Sequence, residues 1–254
     1  MPSLEAEAIV LRHHPLAEAD RIVVLLTREQ GKLRAAAGGA KKTKSQLAGT
    51  VEPFNHLRVS LWFREGKDLG QVHGAELIQA YPGKGLDLGS VYACSYFAEI
   101  VNEIAPDGQP NPVLFRLLLA SLKACALRPP TPALVRYFEI WALRACGFVP
   151  DLGRCAACGR PVAGEGFRFA VASGGALCRD CGGKAGAGGV PLGVKSAEAL
   201  EKMMKLPPEE FMILPFGQTT AAEIEQFARR LLVFHLERRL KSYPLLREAL
   251  QGGV

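Results

Sequence analysis

Uninterrupted apolar runs of the about eighteen residues that a membrane-crossing helix needs are missing from this chain, so a spanning segment is not expected. The start is equally poor in export signals, because residues 1–10 carry Glu5 and Glu7 and no basic run ahead of an apolar stretch. There is no G-x-x-x-x-G-K-[ST], no G-x-G-x-x-G and no G-x-S-x-G, which removes the phosphate cradle, the dinucleotide turn and the nucleophile elbow. Aromatic residues are only 7% of the chain. Near the N-terminus, stacking on exposed bases could use only Phe54, Trp62, Phe63 and Tyr81. In an alternating strand Trp62 and Phe63 point to opposite faces, so at most one of them enters a core. Catalytic groupings are thin as well. His13 and His14 are adjacent in or near a strand and face opposite ways. Glu18 and Asp20 have no third ligand nearby and read as turn residues.

Against these absences stand seven cysteines, four of them in two C-x-x-C pairs: Cys155 with Cys158, and Cys178 with Cys181. Each pair lets two thiolates converge on one side of a metal, and the intervening residues can form a short hairpin that brings the pairs opposite one another. Ligation by sulfur alone leaves no open coordination position. The site is therefore expected to hold a structural zinc ion and to activate no water. Two disulfides or a redox C-x-x-C would be the other reading, disfavoured by the lack of a βαβ context and of a secretory start. Cys94, Cys125 and Cys146 lie in helix-like apolar stretches and read as small core residues. An odd count with four in metal spacing points to a reducing cytoplasm.

At 254 residues, 48% of them hydrophobic, the chain can bury one large core or two to three small ones. Residues 1–81 read as about five short strands with turn signals between them, the size of a small closed barrel, either an OB-fold or an SH3-like barrel. Residues 82–150 and 191–254 carry a helical period, with candidate helices at 91–105, 112–127, 132–146 and 196–205. A last long helix is expected from Thr219 or Thr220, with Glu223 as acidic capping partner, to about Ser242. Residues 151–190 form a glycine-rich cysteine module, low in bulky residues, for which metal ligation would supply the missing stability.

The formal net charge is +6, a moderate excess that suits a polyanionic partner. Lys32, Arg34, Lys41, Lys42 and Lys44 fall within thirteen residues that contain no acid, with Gly38 and Gly39 among them. Such a basic, small-residue loop can follow a phosphate backbone. A second basic set, Arg229, Arg230, Arg238, Arg239 and Lys241, lies near the C-terminus. Three classes of function remain open on these residues: a DNA-binding protein without catalysis, a metal-dependent nuclease using Glu18 and Asp20, and an adaptor that docks acidic tails.

Particular runs narrow the choice. Residues 7–11, 15–23, 27–33, 39–49 and 52–54, then 144–150 leading into the cysteines, 173–178 and 238–242, resemble the bacterial RecO family of DNA repair proteins over nearly the full length. The resemblance implies an N-terminal OB-fold followed by an all-helical domain with an inserted four-cysteine zinc finger, an α+β multidomain chain. It implies a recombination mediator, not an enzyme, that binds single- and double-stranded DNA, anneals complementary strands and, with RecR, helps load RecA onto DNA coated by single-strand-binding protein. The helical domain would receive the acidic, apolar-ended tail of single-strand-binding protein, in the cytoplasm with the nucleoid. DNA contacts would then fall to Lys32, Arg34, Lys41, Lys42 and Lys44, with Arg238, Arg239 and Lys241.

Overall fold

One long strand, β1 (Ser3–Pro15), closes the N-terminal barrel by changing partner along its length. Its first half pairs antiparallel with β4 (His56–Trp62), its second half with β2 (Arg21–Thr27), and a register shift between Val10 and Arg12 marks the change. That irregularity bends the strand round the barrel. With β3 (Gly31–Ala37) and β5 (Leu69–Gln79) the order is β1-β2-β3-β5-β4, and β3–β5 is the parallel contact. This five-stranded closure is an OB-fold, which sequence periodicity alone could not separate from an SH3-like barrel. A narrow barrel needs small inward residues, and Ala6, Ala8, Ala35, Ala37 and Ala40 share its interior with Val10, Val23, Leu25, Leu57 and Leu61.

The computed structural model describes residues 3–42, 45–82, 87–162, 164–184, 189–206 and 217–252. They divide into two compact units, Met1–Pro130 with Leu240–Val254, and Thr131–Arg239. In the first, α1 (Leu88–Ile104) and α2 (Pro112–Leu127) follow the barrel, each started by a side-chain cap, Asp87 and Asn111. The outward residues Ile9, Leu11, Val24 and Leu26 are buried although they lie outside the barrel's interior. An apolar run such as residues 8–11, instead of an alternating one, marks a strand covered on both faces. Helix α1 packs against β1, and the Arg28 guanidinium lies 4.9 Å from the centre of the Phe115 ring of α2. Arg28 also pairs with Glu7 (2.6 Å), whose carboxylate meets His56 Nε2 at 2.7 Å. The Arg28 hydrogen bond leads in holding the Glu7 carboxyl below its ordinary pKa.

In the second unit, α3 (Pro132–Ala145) presents three donors to the end of another helix. The Tyr137 hydroxyl, Trp141 Nε1 and Arg144 Nη1 donate to the carbonyls of Leu206, Met203 and Met204, at 3.1, 2.8 and 2.8 Å. They satisfy carbonyls that the last turn of a helix leaves without intrahelical partners. A small antiparallel sheet, ordered β7-β6-β8, is built from β6 (Phe167–Ala170), β7 (Gly175–Leu177) and β8 (Val190–Leu192). Helix α4 (Arg179–Lys184) follows β7, and α5 (Val194–Lys205) and α6 (Gln218–Leu236) come later in the unit. Phe169 meets Phe227 of α6 edge to face at 4.8 Å.

Three local expectations are corrected. Gly193 precedes α5, so Ser196 lies within the helix and is not its cap. Gly217 precedes α6, no side chain caps it, and Glu223 accepts instead from the Gly193 amide at 2.7 Å. The last helix also ends earlier, because Glu237 takes the left-handed conformation (φ 54°) and its amide donates to the Val233 carbonyl. No glycine announces that stop.

A separate C-terminal helix, α7 (Tyr243–Gly252), belongs to the first unit, where Tyr243 packs 5.3 Å from Tyr96 and Leu246 is fully buried. The Glu99 carboxylate of α1 accepts from the amides of Lys241 and Ser242, both at 2.8 Å, and from the Ser242 hydroxyl. It does from another helix what a local cap does. Glu99→Ala should destabilise the docking of α7 by about 1–2 kcal/mol. Hydrogen exchange checks this: amides of α7 should lose protection while those of β1 and β2 keep theirs.

Candidate metal centre and nucleic-acid surface

The β6–β7 hairpin carries the second cysteine pair opposite the first. Ala156 donates its amide to Ala176 of β7 at 2.7 Å, and Cys155 donates to Arg160 at 2.8 Å, which folds the first knuckle over the hairpin. Gly159 donates to the Cys155 carbonyl and Gly182 to that of Cys178, both at 2.8 Å, giving both knuckles the same tight turn. As a result all four sulfurs lie within 4.8 Å of one another, and those of Cys158 and Cys178 are 3.9 Å apart. Four sulfurs around one tetrahedral ion, at about 2.3 Å from it, sit about 3.8 Å apart. The donor set fits a metal ion. Backbone amides, that of Cys178 foremost, lower the Cys155 pKa to about 6. Hydrogen bonding among the sulfurs, with Cys178 first, pushes Cys181 up to about 12. A cation is what lets such a set ionise together. Cys155 and Cys178 are buried, Cys181 is half-buried and Cys158 is exposed, so the centre sits partly at the surface. Cys94 and Cys125 are buried as expected, and Cys146 is half-buried.

The module is less bare than its composition suggests. Val162, Phe167, Phe169, Leu177 and Val190 are all buried, and Phe169 rests on α6.

The N-terminal cations divide into two kinds. Lys32 is turned inward: its ammonium donates to the Asn102 carbonyl at 2.7 Å, lies 3.2 Å from Asp107, and its side chain is only 13% exposed. Arg34 meets the same Asp107 at 2.6 Å but stays 59% exposed. The Asp107 carboxyl is accordingly held below the usual range, Arg34 contributing most. Nothing local in the sequence marks Asp107, which lies far along the chain between α1 and α2.

Lys41 and Lys42 are exposed. Asp20 fixes their loop by accepting from the Gly39 amide at 2.8 Å, while Lys41 donates from its amide to Ala19 (3.0 Å) and from its ammonium to Ala17 (2.7 Å). The β1–β2 loop and the basic loop after β3 thus form one edge of the barrel. Lys44 lies outside the described residues. Asp20 serves a turn, as expected. Among the described residues the four cysteines form the one cluster of three or more His, Cys, Asp or Glu able to hold a metal, and Glu18 and Asp20 are not part of it.

Phe63 packs on the barrel interior, and Trp62 lies under the Arg64 guanidinium at 5.6 Å. The two rings do face opposite ways. His13 meets Glu52 at 3.2 Å, and Glu52 is also paired with Arg21 at 2.5 Å. Arg238, Arg239 and Lys241 are exposed but follow the end of α6, so no helix aligns them, and Lys241 belongs to the other unit.

Residues 1–81 match the family described as recombination protein O, N-terminal, and residues 85–244 match recombination protein O, C-terminal. The DNA repair protein RecO of Anaeromyxobacter sp. (strain K) is 36% identical over 253 residues, covering 98% of this chain and 97% of that protein. That of Koribacter versatilis is 31% identical over 242 residues, 95% of this chain and 97% of the other. The RecO of Geobacter sulfurreducens is 34% identical over 248 residues, at 98% and 99% coverage.

Proposed function

This chain belongs to the RecO family of DNA repair proteins, and on that footing we propose that it binds single- and double-stranded DNA and anneals complementary strands without catalytic turnover. In the same proposal it acts in the cytoplasm with RecR, helping to load RecA onto DNA coated by single-strand-binding protein, whose acidic, apolar-ended tail it receives. The observation that carries the reading is the exposed Lys41–Lys42 loop, held to the barrel edge by Asp20, Ala17 and Ala19. Fixed cations on a barrel edge lower the repulsion between two phosphate backbones, while base edges stay free to pair. Low aromatic content suits annealing for the same reason. Of the N-terminal cations, Lys41, Lys42 and the outer part of Arg34 are assigned to phosphate, and Lys44, outside the described residues, is kept in the proposal from the sequence, while Lys32 joins the barrel to the segment between α1 and α2. Arg238, Arg239 and Lys241 remain a secondary contact in this proposal. The cysteine centre is assigned zinc, on the softness of four thiolates and their tetrahedral spacing.

The test is the salt dependence of single-strand binding by Lys41→Glu/Lys42→Glu, with annealing followed in the same samples. Losing two phosphate contacts should make the slope of log K against log salt shallower by about 1.4. Annealing should fall with it. An unchanged slope and unchanged annealing in a folded variant would move the DNA contact away from this loop.

A further inference from the structure

The cysteine knuckles bring together more than sulfur. Arg154 directly precedes Cys155, Arg160 follows Cys158 by two positions, Arg179 lies between Cys178 and Cys181, and Lys184 ends α4. Because the four sulfurs lie within 4.8 Å of one another, the chain positions of these four cations, each within three residues of a ligand, are brought to the same cysteine cluster. A metal would add to the joins already there, the Ala156–Ala176 backbone bond and the Arg160–Asp180 ion pair between the two knuckles.

Their partners differ. Arg160 is bound to Asp180 at 3.1 Å. Among the described residues no ion pair involves Arg154, Arg179 or Lys184, and all three side chains are exposed. Arg154 donates to the Gly159 carbonyl at 3.4 Å, which keeps its guanidinium over its own knuckle. Four thiolates on a divalent ion leave two negative charges, and Asp180 and Asp151 add two more, which the four cations balance; what distinguishes the cations is that Arg154, Arg179 and Lys184 are exposed while Asp151 accepts from the Gly153 amide and Asp180 is held by Arg160. The sulfurs of Cys155 and Cys178 are buried and that of Cys181 is half-buried, while Cys158 and the cations are exposed. The exposed knuckle residues around them include the small Ala156, Ala157, Gly159 and Gly183, with Cys158, Pro161 and Asp180 also exposed.

We infer that this knuckle end is a second phosphate-contacting surface, in which Arg154, Arg179 and Lys184 touch the backbone of single-stranded DNA and the metal holds the three cations in one place. The inference rests on the DNA-binding reading above and adds a contact to it. The contact is sequence-independent, because guanidinium and ammonium groups meeting phosphate carry no base information.

The experiment uses the full chain with its metal, an oligothymidylate probe, and two variants in parallel: Arg154→Ala/Arg179→Ala/Lys184→Ala and Lys41→Glu/Lys42→Glu. Metal content by plasma mass spectrometry confirms that the centre is intact. With three contacts gone, the salt slope of the knuckle variant should be shallower by about 2. If its slope is unchanged while the barrel variant is weakened, the inference fails and the DNA reading stands. If the knuckle variant alone is weakened, the inference stands and the barrel assignment fails. If neither changes, both fail. Loss of polyglutamate binding with an unchanged DNA slope would make this an acidic-peptide surface and overturn the inference. Should the triple variant lose its metal, Arg154→Gln/Lys184→Gln, which leaves Arg179 between the ligands, replaces it with an expected change of about 1.4.

Discussion

Serine at both Cys158 and Cys181 should reduce bound metal from about one ion per chain to none, and the two knuckles should open while the rest of the unit holds. One sulfur would be lost from each pair, so neither remaining knuckle could chelate. Structural zinc contributes on the order of 10–16 kcal/mol in isolated finger peptides, where nothing else orders the chain. This module is different in a way that shapes the outcome. Its hairpin is already paired through β6 and β7, β8 adds a third strand, and Phe169 lies against Phe227. Amides of residues 155–160 and 178–184 should therefore exchange freely in the variant, while those of α3 and α6 stay protected. The far-ultraviolet spectrum should change little. Chelation of the wild type should reproduce the same local map. Full protection of both knuckles in a metal-free sample would show that the sheet alone fixes them, and that the sulfurs converge for another reason.

What the sequence made legible follows the range of each interaction. The cysteine centre is set by two short spacings, and one hairpin joins them, so it was readable from residues 155–181 alone. The barrel strands were readable because β-branched and apolar runs alternate with turn residues. The direction of a cation was not. Lys32 and Lys41 look alike in a basic run, yet Lys32 reaches Asn102 and Asp107 while Lys41 stays at the barrel edge. The contacts that separate them come from residues about seventy positions away, beyond any local pattern. The end of α6 was missed for a related reason. Glu237 takes a conformation that usually calls for glycine, and the cap that starts α7 is Glu99, on a different helix. Where the partner is distant, composition announces the residue but not its role.

Gly31 is where that long-range joining is most exposed to mutation. Its φ of 71° lies in the left-handed region, and a Cβ placed there would come 2.1 Å from the Gln109 carbonyl oxygen, a backbone atom that cannot rotate away. Beside it, the Gly108 amide donates to the Lys32 carbonyl at 2.9 Å and Asp107 holds both Lys32 and Arg34. Gly31→Ala must therefore push residues 107–109 off β3 and break those bonds together. The left-handed conformation alone costs about 1–2 kcal/mol for alanine. Displacing the segment leaves the largely buried Lys32 ammonium without its Asp107 carboxylate, though still on the Asn102 carbonyl, at a further few kcal/mol. A total of about 3–5 kcal/mol corresponds to a fall in melting temperature of roughly 10 °C. Gly66→Ala is the matched control, because Gly66 has the same backbone sign (φ 69°) and open space where its Cβ would go. It should lose only the conformational part, about 1–2 kcal/mol. Equal losses in the two variants would mean that the 107–109 segment yields easily and that Lys32 is not fixed by it. In that event the Asn102 carbonyl, and not Asp107, is what holds Lys32 inward.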